Sequence, residues 1–293
     1  MKLISYSIAG RSSFGALVGD AVIDLPTFLK HTHPQAAFAD LRALLTAGGI
    51  GIARDALLAG AKVSAAATYR VDQIRFEPVI PNPSKILCIG LNYEDHRLET
   101  ARPPSTHPTV FTRFADTQVG HGGCIIKPRH SDKVDYEAEL AVIIGKAGRD
   151  IAEADANDHI AGFACFNDVS IRDFQGHTSQ FTPGKNFPAT AGFGPALVTP
   201  DELGPIGPQR IQSRLNGEVM QDAVLGNMIF PIRRLIAYIS QWTALAPGDV
   251  IATGTPGGVG MKRVPPVYMK DGDEIVVEID GVGLLRNVVS NEP

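Results

Sequence analysis

The sequence predicts an α+β fold, mainly β, with a small N-terminal α/β domain over residues 1–75 and a larger domain over 76–293. Three observations carry this reading. Beyond Lys85, short Val/Ile/Leu strands alternate with Gly/Pro/Asp turns, the texture of a mostly β domain. Before Ala67, strand patterns are mixed with alanine- and leucine-rich helical stretches. Between the two, Pro78-Val-Ile-Pro-Asn-Pro83 puts three prolines into six residues, as at a boundary or a stiff crossing.

The elements follow in order. Leu3 to Ile8 and Ala16 to Ile23 read as the arms of a hairpin around Gly10-Arg-Ser-Ser13, and helices are expected from Leu41 to Ala47 and from Arg54 to Ala67. Apolar strands follow over Lys85 to Ile89, Leu140 to Ile144 and Ile160 to Phe166. One helix is expected from Ile232 to Leu245, because Ile232, Leu235, Ile239 and Trp242 fall three and four apart on a single face. The C-terminal stretch runs through Val250 to Ala252, a glycine-rich loop from Thr253 to Gly260, and strands over Glu274 to Ile279 and Leu284 to Val289.

Composition narrows the function classes. With 293 residues, 44% hydrophobic and 20% charged, the chain can bury a large core. A net charge of −4 gives no electrostatic reason to expect nucleic acid or an anionic membrane as partner. No stretch approaches the roughly 18 apolar residues a membrane helix needs, and the start reads as a first strand, not a signal peptide. A cytoplasmic protein is therefore expected. Cys88, Cys124 and Cys165 lie far apart with apolar neighbours, which predicts buried reduced thiols and neither a disulfide framework nor a zinc site.

The most informative residues are Glu137 and Glu139, which run into the apolar stretch Leu140-Ala-Val-Ile-Ile144. Residues two apart on a strand share a face, so both carboxylates project together beside buried positions. Such like charges need a compensating cation or proton. Asp168 ends another apolar run and can complete the set. Three carboxylates without a thiolate describe an oxygen-ligand site for Mg²⁺ or Mn²⁺, with Ca²⁺ as a further option. A solvent-facing acidic pair is the plainer alternative.

Four further groups stand out. His96 and Glu99, three apart after a strand–glycine junction, share a helix face, and the glutamate can orient the histidine as a general base. Their plainer reading is a surface ion pair. Lys185, in Pro183-Gly-Lys-Asn-Phe187, can stabilise an oxyanion. Arg172 and Gln175 add a cation and an amide just after Asp168. Thr253-Gly-Thr-Pro-Gly-Gly-Val-Gly260, with Gly254 and Thr255, offers backbone N–H groups that can hold a carboxylate, unless it is an ordinary turn. It lacks the Gly-Lys-Ser/Thr tail of a nucleotide-binding loop.

Together and in this order these motifs resemble the fumarylacetoacetate hydrolase family. The pieces are Ile89-Gly-Leu-Asn-Tyr93 with His96 and Glu99, Asp135-Tyr-Glu-Ala-Glu-Leu140, Phe166-Asn-Asp-Val169 with Arg172, Asp173 and Gln175, Asn216-Gly-Glu-Val-Met-Gln221, and Pro247 to Gly260. The resemblance implies a mixed β-roll catalytic domain, a homodimer, and a divalent metal at Glu137, Glu139 and Asp168. It also implies a His96–Glu99 pair on a mobile segment, an active-site Lys185 and a substrate loop from Thr253 to Pro256. The implied substrate is a 2-oxo acid, with hydrolysis of a C–C bond in a 2,4-dioxo acid as the expected reaction. The alternatives are decarboxylation of an oxaloacetate-type β-keto acid, or isomerase or lyase chemistry on a 2-oxo acid through a metal-bound enolate. Two departures stand out: Pro188 replaces the aspartate that follows the lysine motif in many relatives, and Arg113 stands where several branches have lysine.

Overall fold

The computed structural model describes residues 1–58 and 67–293. Its centre is a mixed 12-stranded sheet. The main path runs Thr68–Arg70, Ala21–Asp24, Arg11–Val18, Lys2–Ile8, Ala191–Val198, Ile160–Asp168, Ala138–Ile144, Val250–Ala252, Ile86–Gly90 and Thr109–Arg113. A five-stranded sheet orders Glu218–Val224, Arg210–Leu215, Glu274–Ile279, Gly283–Asn291 and Cys124–Lys127.

Strand alternation explains the layering. In Ala138–Ile144, Leu140, Val142 and Ile144 pack with Ile211, Val277, Ile279 and Leu285 of the second sheet. Ala141 and Ile143 belong to the opposite cluster, with Phe28, Leu29, Leu41 and Leu44 of the N-terminal helices. The strand is buried on both sides, which is why it reads as a continuous apolar run. The residues 85–89 and 160–166 strands are equally enclosed.

The N-terminal segment is joined to this sheet by backbone pairing, with Leu3 opposite Leu197 and Lys2 opposite Val198. Within the proline-rich stretch, Val79 and Ile80 are buried in the same cluster as Leu3, and Val79 carbonyl accepts from the Ser5 hydroxyl at 2.8 Å. The stretch is thus packed into the body of the protein.

Several local expectations change. The segment from Ala16 to Ile23 is not one strand: Gly19, with φ 58°, turns the chain between Arg11–Val18 and Ala21–Asp24. The first hairpin turns at Ala9-Gly10, because Ile8 pairs with Arg11. The helix expected over 54–67 begins earlier, as Ile50–Leu58, and its continuation up to residue 66 lies outside the described residues. Helix Ile232–Trp242 buries Ile232, Leu235, Ile236 and Ile239, whereas Trp242 is 49% exposed. At 100° per residue Trp242 falls at the edge of that stripe, on the last turn, where the core no longer reaches it. Cys88 and Cys165 are buried free thiols, but Cys124 is exposed because it opens an edge strand of the smaller sheet. No helix of the described residues is long and apolar enough to cross a membrane.

Because Leu3 is fully buried in a core shared with Phe166 and Phe193, its truncation is felt beyond the first strand. Leu3→Ala is expected to cost about 2–5 kcal/mol. Urea unfolding followed by Trp242, the single tryptophan, should show one transition at lower denaturant. An unchanged tryptophan transition would mean that the first strands unfold separately.

Candidate metal centre and active site

Glu139 lies on Ala138–Ile144, and Glu137 stands just before that strand, beyond the short strand Val134–Asp135. The backbone stays extended enough for the two carboxylates to meet. Asp168 ends the neighbouring strand Ile160–Asp168, and its N–H donates to Glu137 carbonyl at 2.9 Å. Oxygens of Glu137, Glu139 and Asp168 lie within 4.8 Å of one another, and all three residues are buried. A divalent ion at roughly 2.0–2.6 Å from each oxygen spans such separations.

Three cations surround the trio. Lys185 Nζ donates to Glu137 Oε2 at 2.5 Å, to Asp168 Oδ2 at 2.7 Å and to Asp168 carbonyl at 3.0 Å. Arg172 donates through Nε to Asp135 Oδ2 at 2.7 Å and pairs through Nη2 with Glu137 Oε1 at 2.8 Å. Arg113 donates to Asp168 Oδ1 at 2.5 Å, to Val169 carbonyl at 3.0 Å and to Thr190 Oγ1 at 2.7 Å. Counting Asp135, four buried carboxylates face three fixed cations, so one negative charge is in excess.

That excess rests on Glu139. Its carboxylate takes one hydrogen bond among the described residues, from Gly254 N–H at 2.9 Å. Burial, then the charges of Asp168 and Glu137, push its pKa well above the ordinary range, and Lys185 only partly offsets them. Burial works against ionised Glu137 as well, but there Lys185, Arg172 and His96 outweigh it and hold the carboxyl low. The donor set therefore fits a hard divalent cation, and the unneutralised Glu139 is the observation that supports one. Each paired oxygen retains lone-pair room for a second partner.

His96 and Glu99 lie on helix Glu94–Glu99 as the spacing predicts. His96 Nδ1 is 2.7 Å from Glu99 Oε1, and Glu99 Oε2 accepts from Gly258 N–H at 2.9 Å. The histidine is buried and lies within electrostatic reach of Glu137. Site geometry thus brings together Glu137, Glu139, Asp168, Lys185, His96 and Glu99.

The remaining expectations need correction in detail. Lys185 closes the short helix Thr182–Lys185, and its three N–H bonds are spent on the carboxylate cluster, so none is directed at an oxyanion in this conformation. Pro188 is exposed and leaves those bonds intact. Gly184 is needed beside the lysine because a Cβ there would overlap the Gln175 backbone. Arg172 is committed to Asp135, Glu137 and Gln175 Oε1, the last at 2.9 Å.

The glycine-rich loop does not present free N–H groups throughout. Gly254 serves Glu139, Gly258 serves Glu99, and Gly260 donates to Asp135 at 2.8 Å. Thr255 Oγ1 donates to Ala138 carbonyl at 2.9 Å and accepts from Gln221 Nε2 at 2.7 Å. The loop organises the acids of the site because carboxylates brought to strand ends take the nearest unpaired donors.

Two residues without an assigned role prove central. Arg113 occupies the far side of Asp168, so the replacement of lysine there bears on that carboxylate. Asp135 anchors Arg172 and receives the N–H groups of Tyr136, Gly260 and Met261. Its signal was present: it stands two before Glu137, on the same alternation.

In the metal-free protein the Glu139 carboxyl keeps its proton to higher pH than in the unfolded chain, where it is released at about 4.3. Its contribution to stability is complete below that value and lost as pH rises through the folded value. Chelator-stripped protein should therefore show a falling thermal midpoint as pH rises out of the ordinary glutamate range. Mg²⁺ or Mn²⁺ should restore it, more so at higher pH. Calorimetric scans showing no pH-dependent gain from either ion would count against the centre.

Known proteins share much of this sequence and its fold. The sequence model of the fumarylacetoacetate (FAA) hydrolase C-terminal region matches residues 85–290. The mitochondrial oxaloacetate tautomerase FAHD2A of Bos taurus is 43% identical over 219 residues, covering 74% of this chain and 70% of the relative. A fumarylacetoacetate hydrolase from Exiguobacterium antarcticum superposes with a TM-score of 0.83 at 32% identity over 100% of both chains. Maleylpyruvate hydrolase from Sphingobium sp. SYK-6, solved with manganese(II) and pyruvate, gives 0.80 at 28% identity, again over 100% of both. The chain belongs to the fumarylacetoacetate hydrolase family.

Proposed function

We propose that this protein is a divalent-metal-dependent enzyme of 2-oxo acids that moves a proton at the carbon next to the oxo group, with keto–enol tautomerisation of oxaloacetate as its reaction. The observation that carries this is the His96–Glu99 pair at 2.7 Å, with His96 buried and within electrostatic reach of Glu137 in the Glu137, Glu139 and Asp168 trio. A divalent cation held by those three residues would supply Lewis-acid polarisation of the 2-oxo group. The likeness to oxaloacetate tautomerases at 43% identity supports the choice of substrate.

The chain's own residues account for the proton. With Nδ1–H donating to Glu99, His96 keeps the lone pair on Nε2, the nitrogen that can accept a proton. Glu99 holds the ring and stabilises the imidazolium that results. In tautomerisation a proton leaves carbon and one is returned to oxygen, so no bond between heavy atoms breaks. Lys185, Arg172 and Arg113 hold Glu137 and Asp168 in place. His96 itself is buried, which strengthens the charge interactions it makes.

A second reading is hydrolysis of a C–C bond in a 2,4-dioxo acid, favoured by the fold likeness to a maleylpyruvate hydrolase solved with manganese and pyruvate. There His96 would deprotonate a water directed at the distal carbonyl, and the bond to the 2-oxo fragment would break.

The test is enol-oxaloacetate decay and pyruvate release from acylpyruvates, each with Mg²⁺ or Mn²⁺. His96→Ala should lower the enzymatic rate of tautomerisation about 10²- to 10⁴-fold with little change in KM. Acylpyruvate cleavage without tautomerisation would select the second reading. Neither activity with either metal would refute both.

A further inference from the structure

Resting on the 2-oxo acid reading, a further ligand-binding group can be named from a hydroxyl the fold leaves without a partner. Tyr93 is 0% exposed, yet its hydroxyl makes no hydrogen bond among the described residues. Buried polar groups are nearly always paired, so an orphaned one calls for an explanation.

Tyr93 is held at this place by its surroundings. Leu91 turns the chain out of strand Ile86–Gly90 with a left-handed φ of 60°. Next to it Asn92 is clamped: Nδ2 donates to Thr253 carbonyl at 2.7 Å and Phe230 carbonyl at 3.1 Å, and Oδ1 accepts from Phe230 N–H at 2.7 Å. Tyr93 itself forms an antiparallel bridge with Met228 and stands at the N-cap of helix Glu94–Glu99 without using its side chain as the cap. The phenol is thus fixed at the root of the helix that carries His96 and Glu99.

The same clamp ties its neighbour Asn92 to the loop that serves the carboxylate centre. Gly254 packs so closely on Asn92 that a Cβ there would collide with the Asn92 side chain, and Gly254 N–H is the donor to Glu139. Burial, followed by the charges of Glu139 and Asp95, raises the phenol's pKa, so the hydroxyl stays protonated and is a donor. A fixed, buried donor within electrostatic reach of Glu139 lacks only an acceptor oxygen.

We propose that the Tyr93 hydroxyl donates its hydrogen bond to an oxygen of the 2-oxo acid bound at the Glu137, Glu139 and Asp168 centre, and so is a substrate-binding group of this enzyme. Its neighbour Asn92 is then the residue that keeps the phenol in register with the ligand.

The test is Tyr93→Phe, probed with Mn²⁺ and with oxalate, a planar dianion that mimics the enolate form of a 2-oxo acid. Three readouts are compared with the wild type: the thermal midpoint of ligand-free protein, Mn²⁺ affinity from the free-ion electron paramagnetic resonance signal, and calorimetric oxalate affinity of the Mn²⁺-loaded protein. The expected result is an unchanged or higher midpoint, unchanged Mn²⁺ affinity, and oxalate binding weakened about tenfold, the worth of one hydrogen bond to a charged partner. A lowered midpoint would overturn the proposal, because the hydroxyl would then have a partner within the protein. Weakened Mn²⁺ binding without oxalate would overturn it too, assigning the donor to a metal-site water. Equal oxalate affinity in both proteins would overturn the proposal alone. Failure of wild-type Mn²⁺ protein to bind oxalate would instead remove the 2-oxo acid reading on which the proposal rests.

Discussion

Four carboxylates, Asp135, Glu137, Glu139 and Asp168, are buried within one small region, and the structure around them is arranged to tolerate that charge. Leaving a carboxylate unpaired in a low-dielectric interior is very costly. Arg172, Lys185 and Arg113 neutralise three of the four, each through short contacts to two or more acceptors. The fourth, Glu139, receives only a backbone N–H among the described residues. An unfilled electrostatic demand at that position is what makes a divalent cation the natural completion of the site, and it also ties cation binding to pH.

The sheet and its connections follow from this constraint. Carboxylates at the ends of adjacent strands converge only if the strands are in register, and the pairing of Ala138 with Asn167 and Glu139 with Phe166 provides that. The glycine-rich loop after Val250–Ala252 then delivers donors to three different acids: Gly254 to Glu139, Gly258 to Glu99 and Gly260 to Asp135. Side chains at these glycines would strike neighbouring groups, including Met220 carbonyl at Gly258 and Val267 carbonyl at Gly260. One loop therefore couples the carboxylate centre to the helix bearing His96. Glu99 is the point of contact, since one of its oxygens faces the histidine and the other the loop.

Much of this was legible in particular residues. The alternation of Glu137 and Glu139 before an apolar run announced a buried acidic pair, and the His96–Glu99 spacing announced a dyad. Both hold in three dimensions at 4.8 Å or closer and at 2.7 Å, respectively. Local signals failed where the outcome depended on remote packing. Trp242 has the right phase for a buried face but lies where the helix leaves the core. Cys124 has apolar neighbours but falls on an edge strand. Arg172 and Lys185 stand out as cations near the site, yet nothing in their local sequence shows that their donors are already spent on the acids.

Taken alone, the sequence determined the β-rich class and the spacing of the acidic pair and of His96 and Glu99, because period-two alternation and helical spacing are local properties of the chain, while the order of its motifs carried the family resemblance. Only the tertiary structure decided how the charges are shared. It placed Arg113 behind Asp168, turned Lys185 into the trio, spent the loop's N–H groups on acids and left the Tyr93 hydroxyl unpaired. Those outcomes depend on hydrogen-bond partners up to more than a hundred residues apart, as in the contact between Gly254 and Glu139, and no short-range pattern encodes them.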